Sequence, residues 1–181
     1  DSGLSAVDNV TNDDMPLLTG WAAEIGSTVT IYDGTTILGT AVVGVGGLWS
    51  LQVTQDLADG VHNLTVQGAF ATSTPLAVTI DTMVAAPVVG LSADTGSAAD
   101  DEITMNAAIA VAAAAESVTR EYSFDGTSWS ASYTAPTVDG SYTVYVRDTD
   151  VAGNQATSSL TFTLDTMVAA PVVGLSADTG S

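Results

Sequence analysis

Short stretches of hydrophobic residues alternate with polar ones along most of the chain, and Gly, Asp and Pro residues separate them. The stretches recur at a spacing of about 8 to 12 residues, which is typical of β-sandwiches. Because successive side chains of a strand point to opposite faces, Val29 and Ile31 are predicted to share one buried face, and Leu64 and Val66 another. The pattern therefore predicts an all-β fold.

The same alternation predicts where the strands lie. In the first half of the chain they are residues 17–21, 28–32, 36–43, 48–54, 62–68 and 76–80, and in the second half 103–109, 119–124, 128–133, 141–147 and 157–164. Asp33 and Gly34 predict a tight turn. The alanine-rich stretch 107–116 is long enough for a helix, which alanine favours. Its alignment with residues 21–24 favours a strand and a turn instead, and we prefer that interpretation.

One segment of the chain occurs twice without a change. DTMVAAPVVGLSADTGS stands at residues 81–97 and again at 165–181, a register of 165 − 81 = 84 residues. A period of that length is enough for a self-sufficient small domain. We therefore divide the chain into module 1 (1–81), module 2 (82–165) and the truncated start of a third module (166–181). The second module lacks about twelve residues that correspond to the hairpin at 37–47.

The composition is strongly acidic. The chain has 21 Asp and Glu residues against two Arg and no Lys, which gives a net charge of −19. Such a surface repels nucleic acids and anionic lipids, so neither partner is expected, and no hydrophobic run is long enough to insert into a membrane. Asp is far more frequent than Glu, which favours loops that bind hard cations. A solvated acidic surface from a saline habitat is the alternative.

Several segments together resemble the tandem bacterial immunoglobulin-like modules of giant, type I-secreted (RTX-type) surface adhesins. They are GSTVTIYDGTTILGTA, GLWSL and LADGVHNLTV in module 1, the Asp-Thr pairs at 81–82 and 165–166, and DTDVAGN at 148–154. The resemblance implies tandem immunoglobulin-like β-sandwiches that are joined end to end by short linkers and stiffened by Ca²⁺ at the junctions. It also implies that the modules extend a distal ligand-binding region away from the cell.

A calcium site needs six to eight oxygen ligands, which a last hairpin, a linker and the opening loop of the next module could supply together. We expect such a site at the second junction. Its predicted ligands are Asp148, Asp150 and Asn154 in the last hairpin, Asp165 in the linker and Asp178 in the third copy.

The first junction has a less complete set. Asp81, Asp94, Asp100 and Asp101 match the linker and the opening loop, but residues 67–70 replace the acidic hairpin. We expect weaker calcium binding there, or an apolar contact through Phe70 instead of an ion. Asp1 and Asp8 are predicted to form half a site at the front of the chain.

Other acidic residues have a simpler interpretation. Asp33, Asp59, Asp125 and Asp139 each precede a glycine between predicted strands, where Asp commonly caps its own turn. We expect these four to be turn residues.

Nothing in the sequence indicates an enzyme. His62 aligns with Tyr142 and is expected to be a packed ring, and a chain with one His and no Cys does not suit zinc. Trp49 and Trp129 occupy matched positions and are expected in the core, with sugar stacking as the alternative.

The sequence thus predicts a non-enzymatic, calcium-stiffened extender of a secreted or cell-surface adhesin. It is expected to be a monomer whose partners are the neighbouring modules of its own chain. The alternatives are a module that binds carbohydrate or a host surface, and a spacer of a secreted hydrolase.

Overall fold

The computed structural model describes residues 2–96 and 98–173, and its regular secondary structure is almost entirely β-strand. Module 1 contains β1 (Val10–Thr11), β2 (Leu17–Trp21), β3 (Thr28–Asp33), β4 (Thr36–Val42), β5 (Leu48–Gln52), β6 (Gly60–Gln67) and β7 (Leu76–Ile80), with one 3-10 turn at Val45–Gly47. Module 2 contains β8 (Val89–Leu91), β9 (Ile103–Thr104), β10 (Ile109–Val111), β11 (Val118–Ser123), β12 (Gly140–Asp150) and β13 (Gln155–Leu164). The all-β prediction is confirmed, and among the described residues no helix is long and apolar enough to cross a bilayer.

Module 1 is a sandwich of two sheets. The larger has the strand order β1-β7-β6-β3-β4, with β1 parallel to β7, and the smaller pairs β2 with β5. The faces that alternation predicted are buried: Val29 and Ile31 are each 1% exposed, and Leu64 is 5% exposed with Val66 packed beside it. The predicted turn between β3 and β4 is present, with Asp33 as the last residue of β3 and Gly34 in the turn.

Module 2 is also built of two sheets, around a smaller core. Its larger sheet has the order β11-β12-β13-β9, with β9 parallel to β13, and its smaller sheet pairs β8 with β10. The buried core side chains are Ala107, Val144, Leu160, Phe162 and Leu164. The short strand β8 is not among the predicted strands, although Val89 and Leu91 pack against this core.

Two predicted strands of module 2 are wrong, because local side-chain hydrogen bonds compete with the sheet there. The predicted strand 103–109 is broken into β9 and β10, where Asn106 Oδ1 accepts a hydrogen bond from the Ala108 amide at 3.0 Å. The predicted strand 128–133 is reduced to one bridge between Tyr122 and Ser130, and Ser130 Oγ accepts from the Ser132 amide. The stretch 107–116 contains β10 and then bends, as the strand-and-turn interpretation predicts.

The strand order fixes which end of a module each loop occupies. β13 pairs with β12 over ten residues, so the tip of this hairpin lies about 30 Å from the point where the chain leaves module 2 after Leu164. The tip therefore faces module 1, and the exit faces whatever follows residue 165. The β6–β7 loop in module 1 likewise lies at the end opposite to Asp81.

Candidate metal centre at the junction between the modules

The two modules meet through the opening segment of module 1 and the β12–β13 hairpin tip of module 2. The Leu4 amide donates to the Val151 carbonyl at 3.2 Å, and Ser2 Oγ donates to the Ala152 carbonyl at 3.0 Å. Gly3 lies so close that an added Cβ would be 2.1 Å from the Val151 carbonyl oxygen, and its φ of +88° also favours glycine. A side chain at this position would therefore force the two modules apart.

Three carboxylates from different elements converge beside these contacts. Asp81 follows β7, Glu116 lies in the loop between β10 and β11, and Asp150 ends β12; one oxygen of each lies within 4.8 Å of the others. Asp81 belongs to module 1, whereas the other two belong to module 2. Like charges at this distance repel, so a cation among them would favour the docked arrangement of the modules.

Asp150 is the organising residue of this cluster, and it is 1% exposed. Its Oδ1 accepts from the amides of Gly153 and Asn154 at 2.7 and 2.9 Å, which closes the hairpin tip. Asn154 Nδ2 then donates both to Asp150 Oδ2 at 2.8 Å and to the Asp81 carbonyl at 2.7 Å. Asn154 therefore links the hairpin of module 2 to the end of module 1.

The donor set suits a hard cation. All three ligating groups are carboxylates, which Ca²⁺ and Mg²⁺ prefer over His or Cys. Two oxygens on opposite sides of a calcium ion, each bonded at about 2.4 Å, lie about 4.8 Å apart. Because the three oxygens all lie within 4.8 Å of one another, the cluster is compact enough for them to share one such ion.

Both modules match the same family of known domains. The family model described as bacterial Ig-like domain matches residues 1–82 and again 83–166. The chain belongs to the bacterial Ig-like domain family. No curated protein matches the chain.

Two solved structures are similar to these Ig-like modules. One, of the fibronectin(III)-like modules of Clostridium thermocellum CbhA, is 13% identical over 86% of this chain and 87% of that one, with a TM-score of 0.43. The other, of a tetra-tandem repeat in the extending region of a large adhesion protein, is 21% identical over 89% of this chain, with a TM-score of 0.33. This chain spans 47% of that second structure.

The structure groups the predicted metal ligands differently from the sequence prediction. Asp150 and Asn154 contact Asp81 at the first junction, not Asp165 at the second. The predicted grouping is wrong because β13 runs the length of the module between the hairpin tip and Asp165. Asp178 lies outside the described residues.

Asp148 also differs from its predicted role. It is 1% exposed, and both of its oxygens accept from Arg120, at 2.7 Å from Nε and 2.7 Å from Nη2. The hydrogen bond to this carboxylate raises the pKa of Arg120. Asp148 therefore forms a buried ion pair inside Ig-like module 2, two residues before the cluster.

The acidic opening loop of module 2 lies at the second junction, not the first. Glu102 accepts through its carbonyl from the Thr163 amide, and Thr95, Thr104 and Asp165 line one surface cleft. Within the loop Asp94 Oδ2 accepts from the Glu102 amide at 3.1 Å, and Asp101 Oδ1 from the Ile103 amide at 3.1 Å. Four of the predicted ligands therefore lie at this same end of module 2: Asp94, Asp100, Asp101 and Asp165.

The half-site predicted at the front of the chain also lies elsewhere than expected. Asp8 belongs to the equivalent opening loop, where its Oδ1 accepts from the Val10 amide at 3.2 Å, and this loop faces module 2. Asp1 lies outside the described residues. Phe70 is 86% exposed on the β6–β7 loop, at the far end of module 1, so it forms no apolar contact at the first junction.

Two of the predicted turn residues hold the linkers instead. Asp59 Oδ1 accepts from the amide and the hydroxyl of Thr82 at 3.1 and 2.9 Å. Asp139 makes the same pair of contacts with Thr166 at 3.1 and 2.8 Å. The repeated Asp-Thr pairs at 81–82 and 165–166 were the sequence signal that could have located these two contacts. Asp125 does cap its own turn, and the amides of Ser128 and Thr127 hold its pKa well below the usual range.

The aromatic residues divide between the core and the surface. Trp49 is 8% exposed and belongs to the core, as predicted. Trp129 does not: it is half-buried beside the single bridge that replaces the predicted strand 128–133, and its ring centre lies 4.0 Å from the Arg147 guanidinium. His62 is a packed ring, as predicted, with Asp33 Oδ2 at 2.6 Å and the Ala58 carbonyl at 2.7 Å from its two nitrogens.

Proposed function

We propose that this chain is an extender segment of a large secreted bacterial surface adhesin, in which Ca²⁺ at the module junctions stiffens the array. The array would hold a distal ligand-binding region away from the cell. Membership of the bacterial Ig-like domain family and the 84-residue repeat support a structural role for tandem modules. The sequence resemblance to RTX-type adhesin modules supports the location at the cell surface.

The observation that carries the calcium part of the proposal is the cluster of Asp81, Glu116 and Asp150. Its members come from two modules, so an ion bound to all three favours one relative orientation of those modules. Bound Ca²⁺ would supply positive charge that offsets the repulsion among the carboxylates. Asp150 is already held by its hairpin, whereas Glu116 is exposed and can move to complete the site.

The calcium affinity typical of such sites would make the stiffness of the junction depend on whether the chain is inside or outside the cell. Extracellular calcium modules commonly have dissociation constants of about 0.1 to 1 mM. An ion that binds only the docked junction would stabilise it by about 0.4 to 1.4 kcal/mol at about 1 mM Ca²⁺ with these constants. Millimolar calcium outside the cell would stiffen the chain, and the low calcium inside would leave it loose.

Glu116→Gln is the sharpest test, because it removes one ligand charge without changing the shape of an exposed side chain. We expect calorimetry to give calcium binding at least about tenfold weaker than in the unchanged chain. Small-angle scattering should also show that calcium no longer lengthens or stiffens the variant. Glu24→Gln is the matched control, because Ala22-Ala23-Glu24 aligns with Ala114-Ala115-Glu116 and Glu24 lies outside the cluster.

Scattering of the unchanged chain in millimolar Ca²⁺ and then in excess chelator tests the mechanism directly. The maximum dimension and its spread should change when calcium is removed. Profiles that superimpose in both conditions would count against calcium as the stiffening agent, even if the extender role remained.

A further inference from the structure

Module 2 has a cleft at the edge of its larger sheet. The segment 128–134 lies beside β11 there, and together they line a cleft of about 180 Å³. In module 1 the equivalent edge is covered, because β4 pairs with β3 over six residues. In module 2 the corresponding strand β11 makes one bridge to the segment, between Tyr122 and Ser130. The shorter connection of module 2 therefore leaves a concave surface where module 1 has a paired strand.

The cleft lies away from both ends of module 2. β11 ends at Ser123, which is opposite Tyr145, near the middle of β12. Module 1 contacts module 2 at the hairpin tip after Asp150, and the chain leaves module 2 at the opposite end, after Leu164. A module at either end therefore leaves the cleft accessible.

Three aromatic rings form one wall of the cleft. The centre of the Tyr133 ring lies 5.9 Å from that of Tyr122 and 5.9 Å from that of Phe124. The Tyr133 hydroxyl donates to the Ala107 carbonyl at 2.6 Å, and the Phe124 ring contacts the Tyr142 ring edge-on at 6.3 Å. Phe124 is nonetheless 44% exposed. The wall is therefore held in place by its own contacts, and part of its aromatic surface reaches solvent.

Hydroxyl groups also line the cleft. Ser128, Ser130, Ser132 and Thr134 stand at every second position of the segment, and all four are exposed. Ser130 Oγ donates to the Ser132 carbonyl at 3.0 Å. Within the part of the chain that the structure describes, the hydroxyls of Ser132 and Thr134 have no hydrogen-bond partner. These two groups can therefore both donate to a ligand and accept from it.

This combination of groups suits a neutral sugar. The face of an aromatic ring carries partial negative charge, which attracts the weakly positive C–H groups on one side of a sugar ring. Sugar hydroxyls both donate and accept hydrogen bonds, as Ser and Thr hydroxyls do. The described residues that line the cleft include no Asp, Glu, Arg, Lys or His, so a charged ligand finds no ionic partner there. The net charge of −19 also repels anionic sugars.

The size of the cleft limits what it can hold. A volume of about 180 Å³ equals that of about six water molecules, which leaves room for one sugar ring. Proline-rich peptides also bind to aromatic side chains, but they need a groove that follows several residues. The cleft therefore favours a single unit of a glycan over an extended peptide.

We propose that this cleft of module 2 binds a neutral sugar unit of a glycan, which stacks on the Phe124 ring and hydrogen-bonds to the hydroxyls of Ser132 and Thr134. The site gives the chain an adhesive contact of its own, beyond the proposed extender role, and it does not depend on calcium. A ligand of about a dozen non-hydrogen atoms with so few contacts should have a dissociation constant of about a few millimolar.

Titration of the full chain with sugars, followed by NMR, tests the proposal. The probes are neutral disaccharides of glucose, galactose, mannose and N-acetylglucosamine, with sialyllactose and a proline-rich peptide for comparison. At least one neutral disaccharide should shift the ring signals of Phe124 and Tyr133, in excess chelator as well as in calcium, and leave the Trp49 indole signal of module 1 in place. Binding of only sialyllactose or only the peptide, or no binding of a neutral sugar at tens of millimolar, would overturn the proposal.

Two exposed phenylalanines provide a matched pair of variants. Phe124→Leu keeps an apolar side chain but removes the aromatic face, and it should weaken binding of the sugar by about fivefold to tenfold. Phe70→Leu makes the same change at a residue of module 1 that is 86% exposed, and it should leave binding unchanged. Equal effects of the two variants would place the sugar outside the cleft.

Two exposed threonines test the hydroxyl contacts in the same way. Thr134→Val keeps the shape of the side chain and removes the hydroxyl, so binding should weaken by about fivefold. Thr157→Val is the control, because Thr157 is exposed on β13 outside the cleft. Unfolding followed at Trp129 confirms that each variant of module 2 is folded. Binding that survives both Phe124→Leu and Thr134→Val without loss would contradict the assignment of this cleft.

Discussion

The larger sheets of the two Ig-like modules have corresponding strand orders, but the modules differ at the end that carries the last hairpin. In the register of 80 residues that aligns 59–67 with 139–147, Asp148 corresponds to Gly68 and Asp150 to Phe70. Module 2 thus buries two carboxylates where module 1 has a glycine and a phenylalanine that is 86% exposed. The apolar alternation is common to both modules, whereas acidic side chains occupy this loop in module 2 only.

The largest expected difference between the modules concerns the ion pair of Asp148 and Arg120. Arg120→Ala leaves a carboxylate that is 1% exposed without its partner, which we expect to cost about 3 to 5 kcal/mol of the stability of module 2. Denaturant unfolding followed by the indole N–H signals separates the modules, since Trp129 reports on module 2 and Trp49 on module 1.

Arg147→Ala is the control for this prediction. It removes the same charge from a more exposed pair, in which Arg147 and Glu121 have side chains 22% and 29% exposed. We expect a loss of about 1 kcal/mol. A loss from Arg120→Ala no larger than that from Arg147→Ala would mean that burial of Asp148 does not set the stability of module 2.

The second difference lies in how each smaller sheet meets its core. A Cβ on Gly20 in β2 would lie 2.3 Å from the Trp49 ring, so the indole packs directly on this backbone. Gly20→Ala should overpack the contact and destabilise module 1 by about 1 to 3 kcal/mol. Unfolding monitored at Trp49 measures it.

Gly90→Ala in β8 is the matched control. Nothing lies within 4 Å of a Cβ added at Gly90, so module 2 should lose little or no stability. If both substitutions had the same small effect, the close packing of Trp49 on β2 would not be a constraint on module 1.

The strands of module 1 follow from the sequence because alternation is local information. Residues 17–21 and 76–80 are predicted with the bounds that the structure gives to β2 and β7. Which side chains meet at a junction, by contrast, is not local information. Asp150 and Asp165 are close in sequence, but a ten-residue strand carries them to opposite ends of the module. Which end a loop occupies depends on strand order, which no short pattern contains.

Glu116 shows a second reason why the predicted set of metal ligands was incomplete. It is the one member of the carboxylate cluster that is not among the predicted ligands, because it follows a run of alanines and not other acids. Its alignment with Glu24 indicates a shared loop position but not its neighbours. By contrast, Asp59 with Thr82 and Asp139 with Thr166 could be found by comparing the repeats, since both members of each pair recur.

These contacts between an Asp side chain and a linker Thr give a third comparison of the modules. Asp59→Ala removes the acceptor of two hydrogen bonds from Thr82 in the linker between the modules, and we expect a loss of about 1 kcal/mol. Hydrogen exchange at the Thr82 amide should speed up accordingly. Asp59→Asn keeps an acceptor oxygen and should restore most of the protection.

The equivalent substitution, Asp139→Ala, should expose the Thr166 amide to the same extent. Only the variant at Asp59, however, should change the relative orientation of modules 1 and 2 in scattering. An effect of Asp139→Ala on that orientation equal to the effect of Asp59→Ala would show that these contacts do not act on their own linkers.

The smallest expected difference is in how the two modules respond to pH. His62 in β6 and Tyr142 in β12 both hydrogen-bond to the carbonyl four residues earlier, Ala58 and Val138, at 2.7 Å each. This contact is the tyrosine corner of Ig-like sandwiches, and module 1 makes it with a histidine. Because both ring nitrogens of His62 face acceptors, the Ala58 carbonyl first and then Asp33, its pKa is raised above the usual 6.5.

The sign of the effect follows from that shift. The stabilisation by protonated His62 is fully present below the unfolded pKa of about 6.5, and it is lost as the pH rises through the higher pKa of the folded state. Module 1 should therefore become less stable over the pH range above about 6.5, whereas module 2, which has no histidine, should change less. His62→Tyr keeps the corner and should remove the slope. The single histidine allows its pKa to be read directly by NMR, and a value below 6.5, or a stability of module 1 that rises across this range, would contradict the assignment.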